Sequence, residues 1–518
     1  MNKNLSLTDC LENLRSQYDI VAEIDCNDLL PSMLIEQVKS VYKEAYQGNE
    51  RIVIHYTKGN QYTQQSIQTV LNVVDISNFF VIVLTSDIKH KIVSTDDVPL
   101  TLVHTSDDFI YADLYSRAIS KEDIIRSTDL ISTDNTKHFC MAPWVHLFVS
   151  TSGDARLCCA ATKKLGTTIN SSINELFNNK HINQIREDLK HDLPVEGCEK
   201  CYNEEALGRS SYRIAYNQRY AKDYWRVKRD SPALLRWDFR FNNLCNLSCR
   251  SCGPYASTAW YKPAKSIGID VKQFVSNDTK TYNELLEHID VVEEVYFAGG
   301  EPLIMPEHYE LLNRLISLGK TDVKLVYNTN LTELTFKGTS VLELWNQFDD
   351  VAVCGSLDAS AARGEYLRCG SAWDKIESNR HLMKEQCPNV YFWVSATTGM
   401  INALHVPDFH HDWVKKELIK AEDFNIQNIY NPEYMRVDRA TPDLKELIIN
   451  RYNSHLEWLK PLDPFGRATQ GYESVINYLQ DLKGFDKDLF WTNIKPLDEY
   501  YGVNLLDVFP ELDILPKP

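Results

Sequence analysis

The stretch NLCNLSCRSCGPY, Asn243 to Tyr255, sets Cys245, Cys249 and Cys252 in CxxxCxxC spacing. Three thiolates are one short of the set that closes a tetrahedral zinc site, and an odd number cannot pair into disulfides. They suit a cubane cluster in which one iron lacks a protein ligand and can be chelated by the amino and carboxylate groups of a bound molecule. A zinc site with a remote fourth ligand uses the same donor chemistry, and coincidence is a third reading. The residues around the triplet have to decide.

A second set lies upstream. Cys140, Cys158 or Cys159, Cys198 and Cys201 offer four thiolates, closed by a CxxC. Four thiolates complete either a structural zinc or all four irons of a cubane. The interval from Gly153 to Cys158 fits a hairpin that delivers the second ligand, and Cys159 would then pack as a small buried thiol. Eight of the thirteen cysteines fall between Cys140 and Cys252.

The remaining chemistry-bearing residues stand at the ends of expected strands. FAGGEPL supplies Gly299 and Gly300, which permit close backbone approach to a ligand, and Glu301 and Pro302. Glu301 could accept hydrogen bonds from an ammonium group. YNTNLT places Asn328 and Asn330 on one face by strand alternation, and GSLDA does the same with Ser356 and Asp358. GEYLRCG adds Tyr366 and Arg368, the latter a partner for a ligand carboxylate. Each pair alone reads as a turn former; three on one rim do not.

The elements that must carry these residues alternate in type. LLRWDFRFN, VEEVYFAGG, DVKLVYNTN, DVAVCGSLD, VYFWVSATTG and FNIQNIYNP are short apolar or β-branched runs, mostly separated by helix-like segments. Six such repeats predict an α/β fold, a partial (β/α)6 TIM-like barrel with its chemistry at the C-terminal strand ends. Residues 1–130 read as a small α/β domain, with RIVIHY and FFVIVLTSD as strands and Leu34, Ile35, Val38, Val41 and Tyr42 on one helical stripe. A loop-rich cysteine segment follows over 138–232, then the barrel over 233–432 and a mostly helical extension over 433–518. His405, His410 and His411 in HVPDFHHDW are not spaced as a facial helix pair and are expected in a solvated loop. Cys10 and Cys26 are read as ordinary thiols, and Cys354 as a buried strand residue.

Together CNLSCRSC, GGEP, the Asn-x-Asn strand end and SLDA…EYLR, in that order, resemble the radical S-adenosylmethionine (radical SAM) superfamily over roughly Leu234 to Tyr430. The resemblance implies a 4Fe-4S cluster on Cys245, Cys249 and Cys252, whose fourth iron chelates the methionine moiety of S-adenosylmethionine. Reductive cleavage then yields a 5′-deoxyadenosyl radical that abstracts a substrate hydrogen. It implies contacts from Gly299, Gly300 and Glu301 to the amino group, Asn330 and Ser356 near the ribose or carboxylate, and Arg368 at the carboxylate. Ser251 stands where the family usually has a large apolar residue beside the adenine, leaving Tyr255 or Trp260 to pack there. The upstream set looks like the SPASM/twitch modules of many radical SAM enzymes, placed here before the core, and implies a second 4Fe-4S cluster. An electron donor such as a flavodoxin or ferredoxin and a peptide substrate follow from the same resemblance. A small metabolite or nucleoside is the other enzymatic reading, and a zinc-stabilised binding protein the reading of another class.

Composition narrows the partners. A formal net charge of −17 counts against bulk nucleic acid and anionic membranes. No apolar run is long enough to span a bilayer, and the N-terminus has no secretory pattern, so a cytoplasmic location is expected.

Overall fold

The computed structural model describes four strands between residues 20 and 103 and, apart from 207–210, 272–277 and 481–483, residues 136–517. The early strands are β1 (Ile20–Asp25), β2 (Arg51–Tyr56), β3 (Phe80–Leu84) and β4 (Thr101–Val103), all parallel in the order β1-β2-β3-β4. The two expected early strands coincide with β2 and β3. The stripe from Leu34 to Tyr42, Cys10, Cys26 and the boundary near residue 130 lie outside the described residues.

The chain divides into two compact units, Met1–Val145 with Asn183–Pro232, and His146–Ile182 with Ala233–Pro518. The expected segment 138–232 is therefore shared between them, and the helical extension 433–518 belongs to the second unit. In the first unit, Phe139 stacks on Trp144 at 5.7 Å and meets Tyr224 edge-on at 5.6 Å. Arg186, buried, donates from Nε and Nη2 to the Pro143 carbonyl at 2.9 and 2.7 Å.

The second unit is built on one nine-stranded sheet. It comprises β5 (His146–Val149), β6 (Asp154–Arg156), β7 (Gly166–Thr167), β8 (Arg236–Phe239), β9 (Glu294–Phe297), β10 (Lys324–Thr329), then, past the small hairpin of β11 (Thr335–Phe336) and β12 (Thr339–Ser340), β13 (Val351–Ser356), β14 (Tyr391–Thr398) and β15 (Phe424–Asn428). The order is β15-β14-β13-β10-β9-β8-β5-β6-β7. All six expected strands form, in sequential order and parallel, and β5 adds a further parallel strand beside β8. This large parallel sheet with intervening helices is consistent with a partial barrel. The antiparallel β6 and β7 extend it beyond what periodicity predicts.

Register makes the two faces of the sheet chemically distinct. Trp237, Val295, Phe297, Leu325, Tyr327, Val353, Phe392, Val394 and Ile426 share one face and are buried. Their rings continue into the helices: Tyr327 meets Trp345 at 5.2 Å, Phe392 meets Trp413 at 6.5 Å and Phe424 meets Phe409 at 5.4 Å. The other face carries Arg236, Asp238, Glu294, Tyr296, Asn328, Cys354, Ser356, Trp393, Ser395 and Asn425, most of them half-buried. Two-residue alternation thus separates a dry helix-packed face from a polar one. Cys354 is buried, as expected.

The histidine cluster is corrected by the structure. HVPDFHHDW forms the helix Val406–Lys415, and His410 is fully buried. The segment's histidines gave it a polar look, but the i, i+3 and i+4 spacing of Val406, Phe409, His410 and Trp413 places His410 on the packed side. Its Nε2 hydrogen-bonds the Ala421 carbonyl at 2.9 Å, and its Nδ1 lies 3.1 Å from both the Tyr472 hydroxyl and His455 Nε2. Burial holds His410 well below the ordinary histidine value and His455 at about 4. The unfolded chain therefore takes up protons below pH 6.5 that the folded chain refuses, so stability is full above that pH and is lost as pH falls towards 4. The shift at His455 corresponds to roughly 3 kcal/mol. The thermal unfolding midpoint is expected to fall between pH 7 and pH 5, and His455→Gln should flatten that slope when both proteins are followed by circular dichroism.

Candidate iron–sulfur and S-adenosylmethionine site

The cysteine loop leaves β8 and has no regular structure of its own until Thr258. Its shape comes from its neighbours. The Thr258 hydroxyl donates to the Cys245 carbonyl at 3.2 Å, Ser257 Oγ donates to the Leu247 carbonyl at 2.6 Å, and Trp260 Nε1 donates to the Cys249 carbonyl at 2.9 Å. Trp260 is consequently buried and committed to the loop, whereas Tyr255 is exposed and Ser251 half-buried.

The GGEP turn fits against this loop. Gly300 has φ +51°, and a Cβ there would stand 2.2 Å from the Leu244 carbonyl oxygen, which itself accepts from the Glu301 N–H at 2.8 Å. Pro302 opens a single 3₁₀ turn, Pro302–Ile304, capped by Glu301. The Glu301 carboxylate is buried and accepts from Thr329 Oγ1 at 2.7 Å, the Asn330 N–H at 2.7 Å and the Leu303 N–H at 3.1 Å. Burial pushes its carboxyl up to about 6, against the pull of those three donors. Glu301 is thus a clasp joining the ends of β9 and β10.

Strand alternation stops at Thr329. Leu331 turns with φ +58°, and Asn330 is redirected to the cysteine loop. Its Nδ2 donates to Asn246 Oδ1 at 2.9 Å, and its Oδ1 accepts from Thr332. Asn328 remains half-buried on the polar face beside Cys354. Ser356 ends β13 half-buried on that face. Asp358 accepts from the Thr397 N–H at 2.9 Å and ion-pairs with Arg368 at 2.9 Å. Arg368 Nη1 reaches Cys249 Sγ at 3.8 Å. Burial opposes the charge on Arg368, but Asp358 and Cys249 outweigh it. The structure thus brings Cys249, Asp358 and Arg368 together, and Asn246 with Asn330. Asn246, Arg250 and Thr329 were not singled out from sequence, although the first two lie inside the cysteine motif.

Burial pushes the Cys245 thiol up to about 11 and raises Cys252. It also raises Cys249, where Arg368 pulls down and the two sister thiols push up. Three thiols on one loop offer the donor chemistry of an iron–sulfur cluster, since coordination deprotonates a thiol outright. The residues therefore fit an iron–sulfur cluster. Among the described residues no three His, Cys, Asp or Glu side chains are gathered closely enough for a single metal ion.

In the first unit, Cys198 and Cys201 open a helix, Glu199–Ala206, and burial together with Cys201 pushes Cys198 up to about 12. The residues just before Cys140 are held by Asp192, which accepts from the His138 and Phe139 N–H groups at 2.7 and 2.9 Å. Arg213 donates from Nη1 to the Phe139 carbonyl at 2.9 Å and from Nε to Glu205 Oε1 at 2.9 Å, and Ser211 also donates to Glu205. The Glu…Ser…Arg string after Cys201 thus fixes the backbone on which Cys140 sits. In the second unit, the β5–β6 hairpin, turning at Gly153 with φ +78°, leads to Cys158 as expected. Contrary to the expectation that Cys159 packs as a small buried thiol, the buried member of the pair is Cys158, and Cys159 is half-buried and adds to the forces that keep Arg240 charged.

The model of the SPASM iron–sulfur cluster-binding domain matches residues 140–202. No curated protein matches the chain. Among solved structures, anSMEcpe with bound AdoMet aligns at 18% identity and TM-score 0.30, covering 42% of this chain and 58% of that one. Streptococcus suis SuiB bound to precursor peptide SuiA aligns at 15% and 0.31, covering 65% and 66%. TYW1 with a lysine–pyruvate adduct aligns at 12% and 0.25, covering 44% and 71%. The chain thus spans less than two thirds of the first of these. The SPASM match assigns an iron–sulfur cluster-binding domain to residues 140–202, a segment that includes β5, β6 and β7 of the large sheet.

Two expectations follow for bound iron. Gly300→Ala should lose most of the iron held by the Cys245 loop, while Gly319→Ala, equally left-handed but with nothing within 4 Å, should keep it. Glu205→Gln leaves Arg213 buried without its counter-charge, and iron analysis should show a loss of about four irons per chain with the rest retained.

Proposed function

We propose that the chain uses Cys245, Cys249 and Cys252 to hold a 4Fe-4S cluster that cleaves S-adenosylmethionine and so modifies a peptide or protein. The observation that carries this reading is the placement of three cysteines on the single loop that follows β8, with Arg368 3.8 Å from Cys249 Sγ. Held there, the cluster would supply one electron for reductive cleavage of a sulfonium C–S bond of S-adenosylmethionine, the chemistry by which a hydrogen atom can be taken from a substrate.

The chain's own residues position the reactants. Gly299 and Gly300 let the backbone approach the amino end of the methionine moiety, with Glu301 and Pro302 shaping the turn around it. Arg368, oriented by Asp358, supplies charge for a carboxylate beside Cys249. Ser356 and Asn328 face the polar side of the sheet, where a ribose can be hydrogen-bonded, and Asn330 keeps the cysteine loop in register. Cys140, Cys198 and Cys201, all in the first unit, would serve as ligands of the second cluster, as relay or support. The peptide reading rests on the resemblance of the cysteine motifs to radical SAM enzymes with auxiliary clusters, which often modify peptides, and the SPASM match over residues 140–202 supports such a cluster segment. A flavodoxin- or ferredoxin-type donor would deliver the electron. No helix among the described residues is long and apolar enough to cross a membrane.

Anaerobic reconstitution should yield a brown protein with about eight irons. Cys249→Ala is expected to reduce 5′-deoxyadenosine formation to background, whereas Cys198→Ala should retain cleavage and lose product with candidate peptides. A colourless zinc protein that forms no 5′-deoxyadenosine after reduction would refute the enzyme reading.

A further inference from the structure

The residues that alternate with the cysteines are pinned from the opposite side of the loop. The Ser248 N–H donates to the Cys369 carbonyl at 2.9 Å, and the Arg250 N–H to the Leu367 carbonyl at 2.7 Å. Their side chains run to the C-terminal helix Lys487–Tyr501. The Ser248 and Tyr501 hydroxyls share a hydrogen bond of 2.5 Å. Arg250, fully buried, donates from Nη2 to Asp498 Oδ1 at 2.6 Å and from Nε to the Tyr366 carbonyl at 2.9 Å, with its guanidinium 3.7 Å over the Tyr366 ring. The Tyr366 hydroxyl donates to the same Asp498 oxygen at 2.8 Å, and the other Asp498 oxygen accepts from the Leu505 N–H at 2.8 Å. Leu497 packs with Trp260 and Ala264, and Cys252 and Tyr501 lie against that cluster.

We propose that Asp498 and Tyr501 are positioning residues for the cluster-binding loop, acting through Arg250 and Ser248 to fix the relative placement of Cys245, Cys249 and Cys252. The proposal rests on the reading of these three cysteines as cluster ligands. A loop with no ladder of its own must be ordered by outside contacts, or its thiols sample many arrangements. Arg250 in particular has left water for a single carboxylate, so removing that carboxylate leaves an uncompensated charge within the cysteine motif itself. The extension 433–518 therefore serves the site even though it supplies no ligand to it.

The test uses full-length Asp498→Asn, Asp498→Glu and Tyr501→Phe. In iron-free protein, iodoacetamide labelling of each cysteine, followed peptide by peptide by mass spectrometry, should accelerate about tenfold at Cys249 and Cys252 in Asp498→Asn and about threefold in Tyr501→Phe. Cys354 and Cys387, buried elsewhere, should label as in the unaltered chain. Asp498→Glu should restore most of the protection. In reconstituted protein of full iron content, Asp498→Asn should shift the midpoint potential and the electron paramagnetic resonance signal of the reduced site. Unchanged labelling and unchanged potential would overturn the proposal, as would equal acceleration at all cysteines in both Asp498→Asn and Tyr501→Phe, which marks general unfolding. If the unaltered chain takes up no iron, the cluster reading fails, while the labelling pattern still decides whether the helix braces the loop.

Discussion

The site depends on one buried carboxylate. Glu301 collects a hydroxyl and two backbone N–H groups from its own turn and from the end of β10, while its own N–H is given to the cysteine loop. Ionised in a dry setting, such a group is tolerated because three donors surround it. The closeness of the loop follows, and it is possible only because Gly300 has no side chain to strike the Leu244 carbonyl. Remove either feature and the GGEP turn and the cysteine loop cannot occupy neighbouring space.

Around this junction the sheet divides its work between two faces. One face buries Trp237, Phe297, Tyr327, Phe392 and Val394 against helices and supplies the stability. The other keeps Arg236 paired with Glu294 at 2.8 Å, Arg240 near Asp238, and a row of half-buried polar groups towards β15. Charged residues on a parallel sheet would be costly if both faces were packed by helices. Here they lie on the face opposite Trp237, Phe297 and Tyr327.

The two cysteine sets are supported by different means. The Cys245 loop is held by side chains and backbone groups from strands, from Cys369 and Leu367, and from the C-terminal helix. Cys140 is held through Asp192 and through the Arg213–Glu205 pair, which grips the Phe139 carbonyl. In both places an arginine balanced by a carboxylate takes a backbone carbonyl oxygen: Arg213 takes that of Phe139, beside Cys140, and Arg250, itself beside Cys249, takes that of Tyr366, an arrangement suited to the rigid guanidinium fork.

The sequence by itself determined the six strands, their order, the cysteine spacings and the motifs at the strand ends, because local periodicity and short-range spacing encode all of these. His410 was misread because burial depends on which helix face meets Tyr472 and His455, residues 45 to 62 positions away. Alternation suggested that Asn330 shares the face of Asn328, but the strand stops one residue earlier and the side chain turns to Asn246. The roles of Asp498 and Tyr501 were invisible for the same reason: partners some 250 residues from the cysteine motif leave no spacing signal. Only the tertiary structure decided that Glu301 is a clasp, that Arg368 is steered by Asp358 towards Cys249, and that β5 joins the sheet beside β8. Those are consequences of long-range packing, which sequence pattern constrains but does not specify.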